Sequence, residues 1–180
     1  MRLEPLAAAH AGDLAAAVAA DPTAFALSGP VPPGGAEAWV ARALAEAEAG
    51  ERLPFAVVER ATGRAVGSSS YLDVVPELDR LEIGATWYGR PWWGSRVNPA
   101  AKLLLLGHAF EELGALRVGL RCDAANERSR RAIERLGATF EGVLRAWERR
   151  PDGAPRNTAF HSVLAAEWPA VRAGLERRLA

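Results

Sequence analysis

Apolar positions along the chain follow two rhythms, one of short Val-rich runs and one of longer helical stretches, and they alternate from end to end. Residues 2–6 predict a first strand, and an alanine-rich helix follows over about 8–20. A Pro/Gly-rich loop, DPTAFALSGPVPPGG, leads to a second helix from Ala36 to Ala49, stopped by Gly50. PFAVVER, ATGR and AVGSSSYLDVV then read as strand, turn and strand, a hairpin. In the next strand, DRLEIGATWY, Leu81 and Ile83 point to one side while Glu82 and Gly84 point to the other. Asn98 is the expected N-cap of the helix AAKLLLLGHAFEEL, with Pro99 at its first position and Gly114 as its stop. LRVGLRCD is a strand, NERSRRAIERLG a short helix ended by Gly137, and ATFEGVLRAWERR with TAFHSVLAAEW a second hairpin around PDGAP.

A strand, helix, strand unit at 81–123 requires a right-handed parallel crossover, whereas the hairpins on either side require antiparallel edges. The fold class is therefore mixed α/β, of the α+β kind. No repeat, linker or break in composition divides the chain, so residues 1–180 are expected to form one domain.

Composition narrows the function. A 49% apolar content is enough for a core without staples. The single Cys122 cannot form an internal disulfide and no CxxC pair exists, which fits a reducing cytoplasmic setting. LLLLGHAF, the longest strongly apolar run, falls far short of the roughly 20 residues of a membrane span, and His10 and Asp13 interrupt any signal-like stretch. No membrane is expected as a partner. The zero net charge argues against a nucleic-acid partner. That zero hides two halves: residues 1–90 carry 7 Arg and 12 acids, net −5, and residues 91–180 carry 15 basic and 10 acidic residues, net +5. A basic second half suits an anionic ligand.

WYGRPWWGSRVNPAAKLLLL, residues 87–106, concentrates three tryptophans before a buried helix. The first turn of such a helix presents main-chain N–H donors and a partial positive charge that suit a phosphate. Gly94 would let a bulky anion approach, Arg96 would add charge, and Trp87, Trp92 and Trp93 would wall the site. An ordinary cap with core tryptophans fits the same spacing. Neither GxGxxG nor a P-loop is present.

The order of these pieces, essentially over the whole chain, resembles the GNAT superfamily of acetyl-CoA-dependent N-acetyltransferases, in its RimJ/RimL-like branch. The resemblance rests on LEIGATW with the following Trp/Gly loop and helix, on AFEELGALRV, on NERSRRAIERLGATFEGVLR, and on the closing HSVLAAEWP. It implies a central, mostly antiparallel sheet with a splayed parallel strand pair, flanked by helices. It also implies acetyl-CoA as donor, no metal, and an amine acceptor, either a protein N-terminus of ribosomal type or a small polyamine or aminoglycoside. A non-catalytic acyl-CoA-binding module of the same fold is the competing reading, and a homodimer is a family habit.

By this resemblance the main-chain N–H groups from Gly94 through Ser95, Arg96, Val97 and Asn98 hold the pyrophosphate, and those near Ala85 to Trp87 polarise the acetyl carbonyl at a bulge. One departure stands out. The usual loop has Gln or Arg, two residues, Gly, one residue, then Gly or Ala, where this chain has Trp93, Arg96 and Asn98. Backbone donors survive such changes, and Arg96 is then expected on phosphate.

Acetyl transfer needs a base, an oxyanion donor and an acid for the thiolate. Glu82 is the candidate base, against the alternative of a strand carboxylate paired with Arg80 or Arg117. By the same resemblance Asn126 would hold the pantetheine amides and Ser129 would protonate the sulfur, although Asn126 followed by Ser129 also reads as a plain helix cap. Arg131 or Arg128 would reach the phosphates from an otherwise solvated basic run. His10, His108 and His161 lack metal spacing, His161 lies on a strand near the expected acceptor side, and Cys122 reads as a small core hydrophobe.

Overall fold

A computed structural model describes residues 1–21, 35–150 and 153–180, so most of the Pro/Gly-rich loop and the tip of the last hairpin lie outside the described residues. Seven strands form one sheet: β1 (Arg2–Pro5), β2 (Arg52–Val58), β3 (Ala65–Val75), β4 (Arg80–Tyr88), β5 (Arg117–Asp123), β6 (Thr139–Arg149) and β7 (Pro155–Leu164). Their order is β1-β2-β3-β4-β5-β7-β6, and every neighbouring pair is antiparallel except β4 with β5. The helices are α1 (Ala11–Ala19), α2 (Gly35–Glu48), α3 (Val97–Gly107), α4 (Glu127–Glu134) and α5 (Trp168–Leu179).

Alternation along the strands divides the core between the two faces of the sheet. Leu81 and Ile83 join Leu105 and Leu106 of α3, Val118 and Leu120 of β5, and Trp168, Val171 and Leu175 of α5 in the larger cluster. Across the sheet, Ala56 and Val58 meet Leu14 of α1 and Trp39 of α2, and Trp39 touches Trp87 edge-on at 5.2 Å. Each fully buried aliphatic side chain contributes about 1.5–3 kcal/mol. The sheet is therefore clamped from both sides.

Three elements differ from expectation. Helix α3 starts at Val97 with Arg96 as its cap, because the Ser95 hydroxyl takes the Val97 N–H at 3.2 Å. Asn98 instead accepts the Tyr88 hydroxyl at 3.2 Å, and Pro99 still falls in the first turn, where no intrahelical acceptor awaits its missing N–H. Helix α3 ends at Gly107 and continues as a π-turn over His108–Glu112 before Gly114 stops it at φ +68°. Helix α5 has no counterpart among the expected elements. Its signal is the spacing of Trp168, Val171 and Leu175, three buried residues three and four apart, with Pro169 in the first turn.

The pairing of β4 with β5 is short: Arg80 with Arg117, Leu81 with Val118, and Glu82 with Gly119. Beyond Glu82 the strands part. On its other edge β4 bulges, since Ser70 pairs with Gly84 and Ser68 with Trp87, which leaves Ala85 and Thr86 opposite the single Ser69. Ala85 sits at φ +47°, a conformation that costs a non-glycine residue about 1–3 kcal/mol. Bulge and parting together open the sheet at one point.

Gly67 lies beside this bulge, and a Cβ there would collide with the Trp87 carbonyl oxygen and fall 2.8 Å from the Tyr88 Cα. Gly67→Ala is expected to destabilise the fold by about 1–3 kcal/mol, read as a lower urea midpoint at unchanged slope.

Candidate active site

Where β4 leaves β5 the sheet opens into a cleft of about 410 Å³. One wall is β4 from Ile83 to Tyr88, another is the loop from Trp92 to Ser95 with the start of α3, and a third is the beginning of α4 with Asn126 and Ser129. Helix α3 supplies Lys102 to the lining and α4 supplies Arg128.

The aromatic loop is fixed by its own polar groups. The Trp93 indole N–H donates to the Tyr88 carbonyl at 2.9 Å, and the Ser95 hydroxyl donates to the Trp92 carbonyl at 2.6 Å. The guanidinium carbons of Arg90 and Arg128 lie 4.6 and 3.2 Å from the Trp93 ring centre. Burial, together with the nearby Arg90 charge, lowers the Arg128 proton affinity. Two cations held beside one indole favour an anion near them.

Of the loop residues expected here, Gly94, Ser95 and Asn98 line the cleft; Arg96 and Val97 do not. The Arg96 guanidinium donates to the Ala180 carbonyl at 2.9 Å, so in this structure its charge is spent on the end of α5. Val97 is buried with Tyr88 and Ala101. Arg131, exposed on α4, pairs with Glu127 at 2.6 Å, one turn away. Ala85 and Trp87 both line the cleft, and Trp87 also closes the α2 core.

Glu82 is neither exposed nor paired with Arg80 or Arg117. It is buried, its carboxylate is 3.1 Å from the Arg121 Nε, and Arg117 is held instead by Glu141. Its side chain extends to the face opposite Leu81 and Ile83, where Gly84 leaves it room: a Cβ on Gly84 would lie 2.8 Å from Glu82 Oε1. Burial pushes the Glu82 carboxyl up to about 7; Arg121 opposes the shift, while Asp73 and Glu148 add to it. The cleft proper is lined by Arg121, its partner. Glu82 thus stands behind the opening, on the far face of β4.

This geometry meets an independent finding. The sequence profile of the Acetyltransferase (GNAT) domain matches residues 1–139. The chain belongs to the GNAT acetyltransferase family. A solved structure from T. thermophilus, provisionally named an acetyltransferase, is 42% identical with a TM-score of 0.88, covering 99% of this chain and 93% of its own. The RimJ of Mycobacterium smegmatis, solved with CoA-disulfide, shares the fold at a TM-score of 0.81 and 23% identity, over 97% of this chain and 87% of that one. A Bacillus subtilis protein, YdaF, provisionally named a ribosomal N-acetyltransferase, is 34% identical over 89 residues. That match spans 49% of this chain and 48% of the relative.

Within this GNAT domain, Asn126 caps α4, its Oδ1 accepting the Ser129 N–H at 3.0 Å. Asn126 is thus a helix cap, and with Ser129 it also lines the cleft. His161 is fully buried beside Phe140, with Glu134 at 3.8 Å, and does not reach the cleft. Lys102 is the residue that sequence reasoning missed. It is buried, donates to Thr86 Oγ1 at 2.8 Å, and desolvation brings its ammonium down to about 7. Its signal was available: the only lysine of the chain lies inside an apolar helix. Among the described residues no cluster of His, Cys, Asp and Glu is placed to hold a metal, and no helix is long and apolar enough to cross a membrane.

Cys122 lies on β5 in the larger core, 6% exposed, and burial pushes its thiol above the usual range despite the Ser129 hydroxyl beside it. A disulfide reagent is expected to titrate this thiol at least about 100-fold more slowly in the native protein than in urea. Equal rates would show that β5 opens readily.

Proposed function

We propose that the protein moves an acetyl group from acetyl-CoA directly to a primary amine, with a protein N-terminal α-amine as the acceptor. The observation that carries this reading is the opening between β4 and β5, bordered by a strained bulge of β4. The donor supplies an activated thioester carbonyl. The cleft fits it: Gly94, Ser95 and Asn98 offer main-chain donors at the start of α3, and Arg128 offers charge where the loop carries Trp93 instead of a polar residue. The fit does not need Arg96, whose guanidinium is engaged elsewhere.

In the proposed reaction the main-chain N–H groups between Ala85 and Trp87 face the carbonyl oxygen and stabilise the negative charge that develops as the amine attacks. Glu82, directly or through a water, removes the proton from the amine. Asn126 fixes the pantetheine arm, and the Ser129 hydroxyl hydrogen-bonds the departing sulfur and relays to it a proton taken up from solvent water. Attack forms the C–N bond and collapse breaks the C–S bond, so no acyl-enzyme is required. The raised Glu82 carboxyl suits this work, since a base titrating near 7 is both available and strong enough. The relative named as a ribosomal N-acetyltransferase supports a protein acceptor.

Glu82 must be ionised to accept a proton, so kcat/KM should rise with pH through about 7 and then level off. Glu82→Gln should remove that limb and lower kcat by about 10²–10⁴-fold, with acetyl-CoA affinity retained. A thiol-release assay run on N-terminal peptides, polyamines and aminoglycosides provides the readout. Saturable acetyl-CoA binding with no thiol release on any amine would contradict the reading, and release only with polyamines or aminoglycosides would move the acceptor to small amines.

A further inference from the structure

Lys102 is 4% exposed at the lining of the cleft. Its Nζ donates to Thr86 Oγ1 at 2.8 Å and to Ser69 Oγ at 3.3 Å, and those two hydroxyls are 2.6 Å apart. No carboxylate makes an ion pair with it among the described residues; Glu82 acts on it only through its field. A buried amine with hydroxyl partners alone is an expensive way to fill a core position, since methionine occupies similar space without desolvating a polar group.

The places of the two hydroxyls say what the amine does. Ser69 is the β3 residue that faces the bulge, and Thr86 is the second residue of the bulge itself. Between them Ala85 is held at φ +47°, a strained conformation that persists only where surrounding contacts over-determine it. Lys102 reaches from α3 to both sides of the irregularity and ties them together. The Thr86 hydroxyl also approaches the Gly84 carbonyl at 3.4 Å, which ties down the peptide before the strained residue.

We propose that Lys102 is a positioning residue for acetyl transfer, holding the bulge through Thr86 and Ser69 so that the Ala85 to Trp87 main-chain donors stay aimed at the acyl oxygen. The proposal rests on the reading of this cleft as the acetyl-CoA site. It assigns Lys102 no proton transfer and no bond to substrate. The donors matter most when the carbonyl π pair moves onto oxygen, so losing their aim should slow the chemical step more than it weakens binding.

The test uses Lys102→Met, Thr86→Val, their double variant, and Thr86→Ser, which keeps the hydroxyl. Lys102→Met and Thr86→Val should each lower kcat by about 10–100-fold, with the KM for acetyl-CoA within about 3-fold of the parent. The double variant should be no slower than the slower single, because both break one network, and Thr86→Ser should restore most of the rate. Independently of turnover, amide hydrogen exchange at Ala85, Thr86 and Trp87 should accelerate at least about 10-fold in Lys102→Met and Thr86→Val. If Lys102→Met does not fold, the Thr86→Val and Thr86→Ser pair carries the test alone. Unchanged exchange, a rate loss confined to KM, or losses that multiply in the double variant would overturn the proposal. An inactive parent with protected bulge amides that loosen in the variants would instead count against acetyl transfer and leave the lock standing.

Discussion

Two parallel strands that pair for three residues and then separate impose a demand on everything around them. The main-chain groups of β4 past Glu82 lose their β5 partners, and buried N–H and C=O groups do not stay unpaired without cost. The fold answers on one side with a bulge, which spends two residues of β4 against one of β3 and turns the strand aside. On the other side it leaves a cleft that a polar ligand can enter. Helices α3 and α5 hold this opening through the larger core, and α1 and α2 brace the opposite face through Trp39 and Trp87. The strain at Ala85 is sustained because β3, β4 and α3 are cross-tied by Ser69, Thr86 and Lys102.

Charge is distributed to match. The zero net charge separates into an acidic and a basic half along the sequence, and the basic side chains that line the cleft all come from the second. Arg128, Arg135 and Arg178 border the cleft, where a phosphate-bearing donor is proposed to lie. Around Glu82 on the far face stand Asp73 and Glu148, with Arg121 in contact with all three carboxylates. Burial raises the Glu82 carboxyl and lowers the Lys102 ammonium toward the same value, about 7, from opposite directions. Desolvation disfavours the charged form of each; Arg121 and Arg156 oppose it at Glu82, and the Glu82 charge opposes it at Lys102. In the proposed reaction a cationic amine approaching Glu82 meets carboxylates, and an anionic donor entering through the cleft meets guanidinium groups.

Strands were legible because their apolar runs, hairpin turns and the 81–123 crossover leave few topologies open, and the sheet has the expected parallel pair among antiparallel neighbours. Asn126 was readable as a cap, and it is one. Asn98 was not, because a cap depends on which hydroxyl reaches the first N–H, and Ser95 lies closer. Arg96 was expected on phosphate, and here its guanidinium lies on the Ala180 carbonyl at the end of α5, a helix starting at Trp168 that the apolar strand pattern concealed. The partner of Glu82 was missed because Arg121 approaches from β5 two residues beyond its register mate Gly119, and spacing along the chain cannot reveal that. Lys102 carried a compositional signal, but its importance lies in two hydroxyls 16 and 33 residues away.

The central claim is that the opening between β4 and β5 receives a thioester whose carbonyl faces main-chain donors of the bulge. A crystal structure of the protein with a non-hydrolysable acetyl-CoA analogue addresses it most directly. The account predicts the acyl oxygen within about 3.1 Å of an N–H between Ala85 and Trp87, with the diphosphate at Gly94 to Asn98 beside Arg128. An analogue bound elsewhere, with the Trp92 and Trp93 rings sealing the opening, would contradict it.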